Sequence, residues 1–206
     1  MRYASRMIEV PKPLEMSYEA FLDWADEDTL AEWVDGKVVL MSPPSERHQD
    51  LSDFLTALMR HLAEARSLGK VRSAPLQMKL GANLSGREPD ILFVANENLA
   101  RLQKNRLEGP ADLVVEIISP ESRARDRGEK FYEYEQGGVT EYWLIDPDRE
   151  QAEFYRLDAR GIYQLVPLGD GVFESQVLTG LRLEAAWLWR DPLPPLLSIL
   201  KLWKLV

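Results

Sequence analysis

The stretch Leu113-Val114-Val115-Glu116-Ile117-Ile118 constrains this chain more than any other. An apolar run of that length, ended by Ser119-Pro120, marks a β-strand buried on both faces. After it, Ser122 can cap a helix running to about Gln136, and Gly137-Gly138 can stop that helix. Glu141–Asp146 then reads as a second strand. Strand, helix and strand in that order are the crossover of a parallel pair.

The elements around this unit follow from caps and turns. Ser17 is a helix cap for a short helix through Tyr18, Phe21, Leu22 and Ala25. Glu32-Trp33-Val34 and Val38-Val39-Leu40-Met41 flank Asp35-Gly36, a hairpin signal because both turn positions need positive φ. Ser42-Pro43-Pro44-Ser45 breaks the chain, and Ser45 caps a helix over 46–66 with Leu51, Phe54, Leu55, Leu58 and Leu62 at helical spacing. Strands are expected over 71–80 and 91–94, joined through 81–86, with a helix over 97–106. From Gln151 onward the chain reads as short strands with turns at Gly161, Gly169 to Gly171 and Gly180. A terminal helix after Pro192 docks through Leu196, Leu197, Leu200 and Trp203. The expectation is one α/β domain over 1–206: a mixed central sheet flanked by helices (core about 17–156) with a β-rich C-terminal extension.

Composition removes several chemistries. With no cysteine there is no disulfide, thiolate zinc site, iron–sulfur cluster or Cys nucleophile. Two histidines, His48 and His61, are too few for a His-rich metal cage. A net charge of −9 argues against a general nucleic-acid coat protein, but not against an enzyme that meets nucleic acid locally through a metal. The N-terminus lacks a signal-like apolar run, and the apolar end 193–206 carries Lys201 and Lys204, so a cytoplasmic protein is expected. That apolar end (Leu193, Leu196, Leu197, Leu200 and Trp203) and the β-rich tail suggest a homodimer.

Glu116 is the residue to explain. An unpaired carboxylate inside such a strand costs roughly several kcal/mol of desolvation. Alternation puts it on one face with Val114 and Ile118. An Arg, a Lys or a metal ion must compensate it, and a purely structural ion pair meets the same demand. Asp90, after Arg87-Glu88-Pro89, opens the strand over 91–94; it either ends a turn or joins Glu116 in an oxygen-ligand site for Mg²⁺ or Mn²⁺. Asp126 and Lys130 stand at i and i+4, as a solvated helical pair or as an ammonium carried back over the site. His48 either faces the site or caps locally, and His61 is placed at the rim. Tyr132 and Tyr134 either stack on a base or belong to the core.

Glu32-Trp33-Val34-Asp35-Gly36, Met41-Ser42-Pro43, His48-Gln49, Glu88-Pro89-Asp90, Val115-Glu116-Ile117-Ile118-Ser119-Pro120 and Asp126-Arg127-Gly128-Glu129-Lys130-Phe131, in that order, resemble the Uma2 family. That family is classed with the PD-(D/E)XK nucleases, and the resemblance runs from about residue 17 to 156. It implies a restriction-endonuclease-like fold and a metal-dependent endonuclease acting on DNA. Asp90, Glu116 and the Ile117 carbonyl would hold Mg²⁺ or Mn²⁺. The lysine expected two residues after Glu116 is replaced here by Ile118, and the family pattern implies that Lys130 takes its place. Glu32 resembles an additional N-terminal acid beside the metal. Two other readings stay open: a catalytically silent nuclease-fold module binding a protein or nucleic acid, suggested by Ile118 and the net charge, and a hydrolase of small phosphoesters. Lys130→Met is expected to leave folding nearly intact.

Overall fold

The computed structural model describes residues 14–26, 29–82 and 84–206. The stretch 1–13, where no signal-like run was found, lies outside the described residues. The early elements start at the caps and turns. Ala20 N donates to Ser17 Oγ at 3.2 Å at the head of α1 (Tyr18–Trp24). β1 (Ala31–Val34) and β2 (Lys37–Leu40) close through Asp35 and Gly36, at φ of 48° and 83°. Ser45 caps α2 (Glu46–Ala65), whose Leu51, Phe54, Leu55, Leu58 and Leu62 are all buried.

Three expectations need correction. The strand over 71–80 is two strands in different sheets, β3 (Gly69–Ser73) and β4 (Gln77–Lys79). Pro75 lies between them and has no N–H to continue a ladder. β5 (Gly86–Arg87) and β6 (Ile91–Ala95) follow. The helix over 97–106 is a 3₁₀ turn, Asn96–Arg101, leading into β7 (Arg106–Glu108). Its apolar anchors Leu99 and Leu102 are three apart, the spacing of that tighter helix. β8 (Leu113–Ile117) is buried throughout, as read.

The third correction is the helix after β8, which divides into α3 (Arg123–Asp126) and α4 (Glu129–Gly137). Gly128 makes the break: a Cβ there would meet the Ala124 carbonyl oxygen at 2.7 Å. Ser122 caps neither piece; its Oγ accepts from Ser119 N at 3.0 Å and tightens the turn after β8. Gly138, at φ 85°, ends α4. The rest of the chain forms β9 (Glu141–Asp146), β10 (Gln151–Leu157), β11 (Tyr163–Leu165), β12 (Val172–Glu174), β13 (Arg182–Glu184) and α5 (Leu196–Leu202).

A six-stranded sheet runs β11-β10-β9-β8-β6-β3, and β8–β9 is its parallel pair. A five-stranded sheet runs β2-β1-β5-β4-β7. On one face of β8, Leu113, Val115 and Ile117 pack in a core with α2 and the tail residues Phe173, Trp187 and Trp203. On the other, Val114 and Ile118 meet Tyr134 of α4 and Met78 and Leu107 of the second sheet. The central sheet is therefore covered on one side by α2 and the C-terminal tail with its β12–β13 pair, and on the other by α4 and the second sheet. The C-terminal apolar residues are mostly used inside the chain: Leu200 and Trp203 are buried, Leu193 and Leu196 pack on the core, and Leu197 stays 63% exposed. This removes most of the apolar surface on which the homodimer was inferred. Among the described residues, no helix is long and apolar enough to cross a membrane.

Candidate active site

The ladder pairs Ile91 of β6 with Val115 of β8, so Asp90 stands at the sheet position beside Glu116. Ile117 N donates to Asp90 Oδ2 at 2.7 Å, fixing that carboxylate against the next strand. Asp90, Glu116, Ile117 and Lys130 line one cleft of about 560 Å³, together with Glu88, His48 and Arg125. The two carboxylates expected from neighbouring strands do share a cavity.

Lys130 is the hub. Its Nζ lies 3.0 Å from Glu116 Oε1, 3.1 Å from Glu32 Oε1 and 3.3 Å from Asp126 Oδ1. Asp126 and Lys130 are both buried, which rules out the solvated helical pair. The break at Gly128 puts Lys130 in the first turn of α4, so it approaches the sheet from a helix start and not from two turns along a continuous helix. Glu32 is fully buried in the hairpin, where Arg87 Nη1 also donates to its Oε2 at 3.0 Å. It does not line the cleft itself and meets it through Lys130 and through Glu88 N, which donates to its Oε1 at 3.3 Å.

Burial opposes the charge on each of these groups, and the neighbours decide the outcome. Glu116 is pushed well above the usual carboxylate range by burial, against the pull of Lys130. Asp126 is raised by burial too. Glu32 is lowered, because Lys130 and Arg87 outweigh its burial. Lys130 is raised despite burial, because Glu116, Glu32 and Asp126 surround it. Its ammonium therefore keeps its proton and serves as a fixed positive charge. With that charge placed between buried carboxylates, Lys130→Met is expected to lower stability rather than leave folding nearly intact.

Several contacts escaped the sequence reading, some of them made by residues it had named. Tyr134 OH donates to Glu116 Oε1 at 2.7 Å; its signal was the i,i+4 spacing from Lys130 on α4. Arg87 braces Glu32 and donates from Nε to Glu133 Oε2 at 2.7 Å. Gln77 Nε2 donates to Glu88 Oε2 at 2.9 Å, and burial raises Glu88 to about 7. His48 faces the site: its Nε2 is 3.3 Å from Asp90 Oδ2. His61 is exposed, with Nδ1 2.8 Å from its own helix's Ala57 carbonyl. Tyr132 is exposed, while Ile118 is buried in the core beside Val114.

The donor set suits a hard cation: carboxylate oxygens on Asp90 and Glu116, with the Ile117 backbone between them at the cleft wall. The acids Glu32, Glu88, Asp90, Glu116 and Asp126 outnumber the cations Lys130, Arg87 and His48 that touch them. Among the described residues no three acidic or imidazole groups form a closed metal cage. An ion held by Asp90 and Glu116 would keep open positions for water and phosphate, as Mg²⁺ commonly does.

A family profile described as "Uma2: Putative restriction endonuclease" matches residues 18–186. The crystal structure of a "putative nuclease belonging to DUF820" from Anabaena variabilis is similar at a TM-score of 0.70 and 18% identity, over 87% of this chain and 98% of that one. At that identity the likeness is one of fold. No curated protein matches the chain.

Proposed function

The chain belongs to the Uma2 family, and on that premise we propose that it is a metal-dependent endonuclease hydrolysing phosphodiester bonds in DNA, with 1–206 acting as one nuclease unit. The observation that carries this reading is the Lys130 ammonium 3.0 Å from Glu116, on a cleft that Asp90 shares. Asp90 and Glu116, with the Ile117 carbonyl, would hold Mg²⁺ or Mn²⁺. The bound ion supplies Lewis-acid polarisation of the phosphate and a water of lowered pKa.

The protein's own groups do the positioning. Ile117 N and His48 fix the Asp90 carboxylate, while Tyr134 and Lys130 fix Glu116. Lys130 lines the cleft and holds its proton, so its role is electrostatic: it offsets negative charge growing on the attacked phosphate. The silent-module reading rested on Ile118 and the net charge of −9, and a lysine delivered from α4 answers the first of these. A second copy of the chain as partner is supported by the apolar residues that stay exposed in the C-terminal region, among them Leu165, Leu197 and Leu202.

The test pairs DNA cleavage in Mg²⁺ and Mn²⁺ with Mn²⁺ calorimetry on the wild type, Asp90→Ala and Glu116→Ala. Cleavage and metal binding in the wild type, both lost in each variant, are expected. A folded wild type that neither binds Mn²⁺ nor cuts DNA would sink the proposal.

A further inference from the structure

Four cationic side chains line the cleft: Arg47, His48, Arg125 and Lys130. Three are committed. Lys130 serves three carboxylates, and His48 serves Asp90. Arg47 Nη2 donates to the Leu188 and Arg190 carbonyls at 2.6 and 3.0 Å. Among the described residues Arg125, on α3, has no carboxylate partner. Its Nη2 touches only the Met41 thioether at 3.7 Å, a weak acceptor, and its Nε is shut off from solvent with no hydrogen-bond partner. Such a donor has lost its water without gaining a replacement. Glu121 and Asp148 also line the cleft, but Asp148 pairs with Arg123 and neither contacts Arg125.

We propose that Arg125 binds a backbone phosphate of the DNA strand lying in the cleft, next to the phosphate under attack; this rests on the nuclease reading above. The electrostatics require such a group. A polyanion entering a chain of net charge −9, toward a site rich in carboxylates, needs a cation not already neutralised. A guanidinium fits this task because its planar fork can donate two parallel hydrogen bonds to one phosphate. A phosphate contact reads no base, so Arg125 contributes affinity and register but no sequence preference.

The test measures binding of a fluorescein-labelled DNA duplex by anisotropy in Ca²⁺ over a range of salt concentrations, with cleavage in Mg²⁺ followed separately. Thermal melts and Mn²⁺ calorimetry confirm that each variant keeps its fold and metal site. Arg125→Gln should weaken binding about 10-fold and lower the slope of log affinity against log salt by about one, the signature of a single lost phosphate contact. Arg125→Lys should keep the slope and recover part of the affinity. If Arg125→Gln binds with wild-type affinity and slope while the wild type cuts DNA, the assignment of Arg125 is wrong and the nuclease reading stands. A wild type that neither binds nor cuts DNA overturns both.

Discussion

Lys130 Nζ lies 3.0 Å from Glu116 Oε1, and no more than 4% of either side chain is accessible to water. An ion pair this deep is worth little by itself, because desolvation consumes most of the attraction. Removing one partner is what costs, since the other charge stays buried.

Lys130→Met is therefore expected to lower stability by about 3–5 kcal/mol near neutral pH. Urea unfolding should show a smaller loss in mild acid, where Glu116, already raised by burial, can take up a proton. Any Mg²⁺-dependent cleavage should fall by about 10²-fold or more. Mn²⁺ should restore part of the stability, because an ion bound to the folded state adds its own binding free energy. A variant as stable as the wild type at every pH would contradict this.

Tyr134→Phe removes the 2.7 Å hydrogen bond to Glu116 and little volume. The expected loss is about 1–3 kcal/mol, the usual cost of leaving a buried polar atom without its partner. Mn²⁺ affinity should weaken by about 10-fold, as for other groups that orient a metal ligand. Calorimetry giving an unchanged affinity would show that Glu116 is held without the phenol.

Stability without metal should fall as pH rises from mildly acidic to mildly alkaline. Folded Glu88 keeps its proton to about pH 7, because burial disfavours its charge. The unfolded chain releases that proton near about pH 4.3. Between these values the folded state holds more protons, so raising the pH favours unfolding. His48 adds in the same direction: burial opposes its charge, but Asp90 raises its pKa, so its stabilisation is lost above its folded pKa. Glu88→Gln in EDTA should flatten the profile and be more stable than the wild type at alkaline pH. Discounted for partial exposure, the gain is about 1–2 kcal/mol. Parallel profiles for the two proteins would refute the assignment.

Gly128→Ala tests the break between α3 and α4. The added methyl meets the Ala124 carbonyl oxygen at 2.7 Å, a backbone atom that cannot turn aside. The start of α4 must shift, carrying Lys130 with it. A loss of about 1–3 kcal/mol and a fall in cleavage are expected, although glycine contributes no functional group. Wild-type activity and melting temperature would show that the helix start adapts freely.

The hairpin, α2 and the β8–α–β9 crossover were legible because each rests on a local signal: an Asp-Gly turn, a Ser cap or an apolar run; Asp90 beside Glu116 was one of two readings, favoured by the family resemblance. What escaped depended on contacts distant in the sequence. Nothing local to Glu32 announces that it is buried, because Arg87 and Lys130 lie far along the chain from it. Gln77 in a second sheet was hidden in the same way, since alternation over 71–80 reads the same whether or not Pro75 hands the chain to another sheet. Helical spacing over 122–136 likewise continues across Gly128, and only the close approach of the Ala124 carbonyl shows why the helix must restart.

The Lys130 cluster joins three separate pieces of the chain: the β1–β2 hairpin through Glu32, the central sheet through Glu116, and α3 through Asp126. It is therefore a fastening, whatever part it takes in the proposed cleavage. A descendant that lost its activity would still be under pressure to keep these residues, because losing any one would loosen the junction between the two sheets. Their presence in a related sequence is thus weak testimony to catalysis. Asp90, His48 and Arg125 face the cleft and are not bound into that junction, so, if the proposed cutting stopped, less would hold them in place than holds the Lys130 cluster. In a lineage of such proteins, those three positions are where retirement from catalysis would first be written.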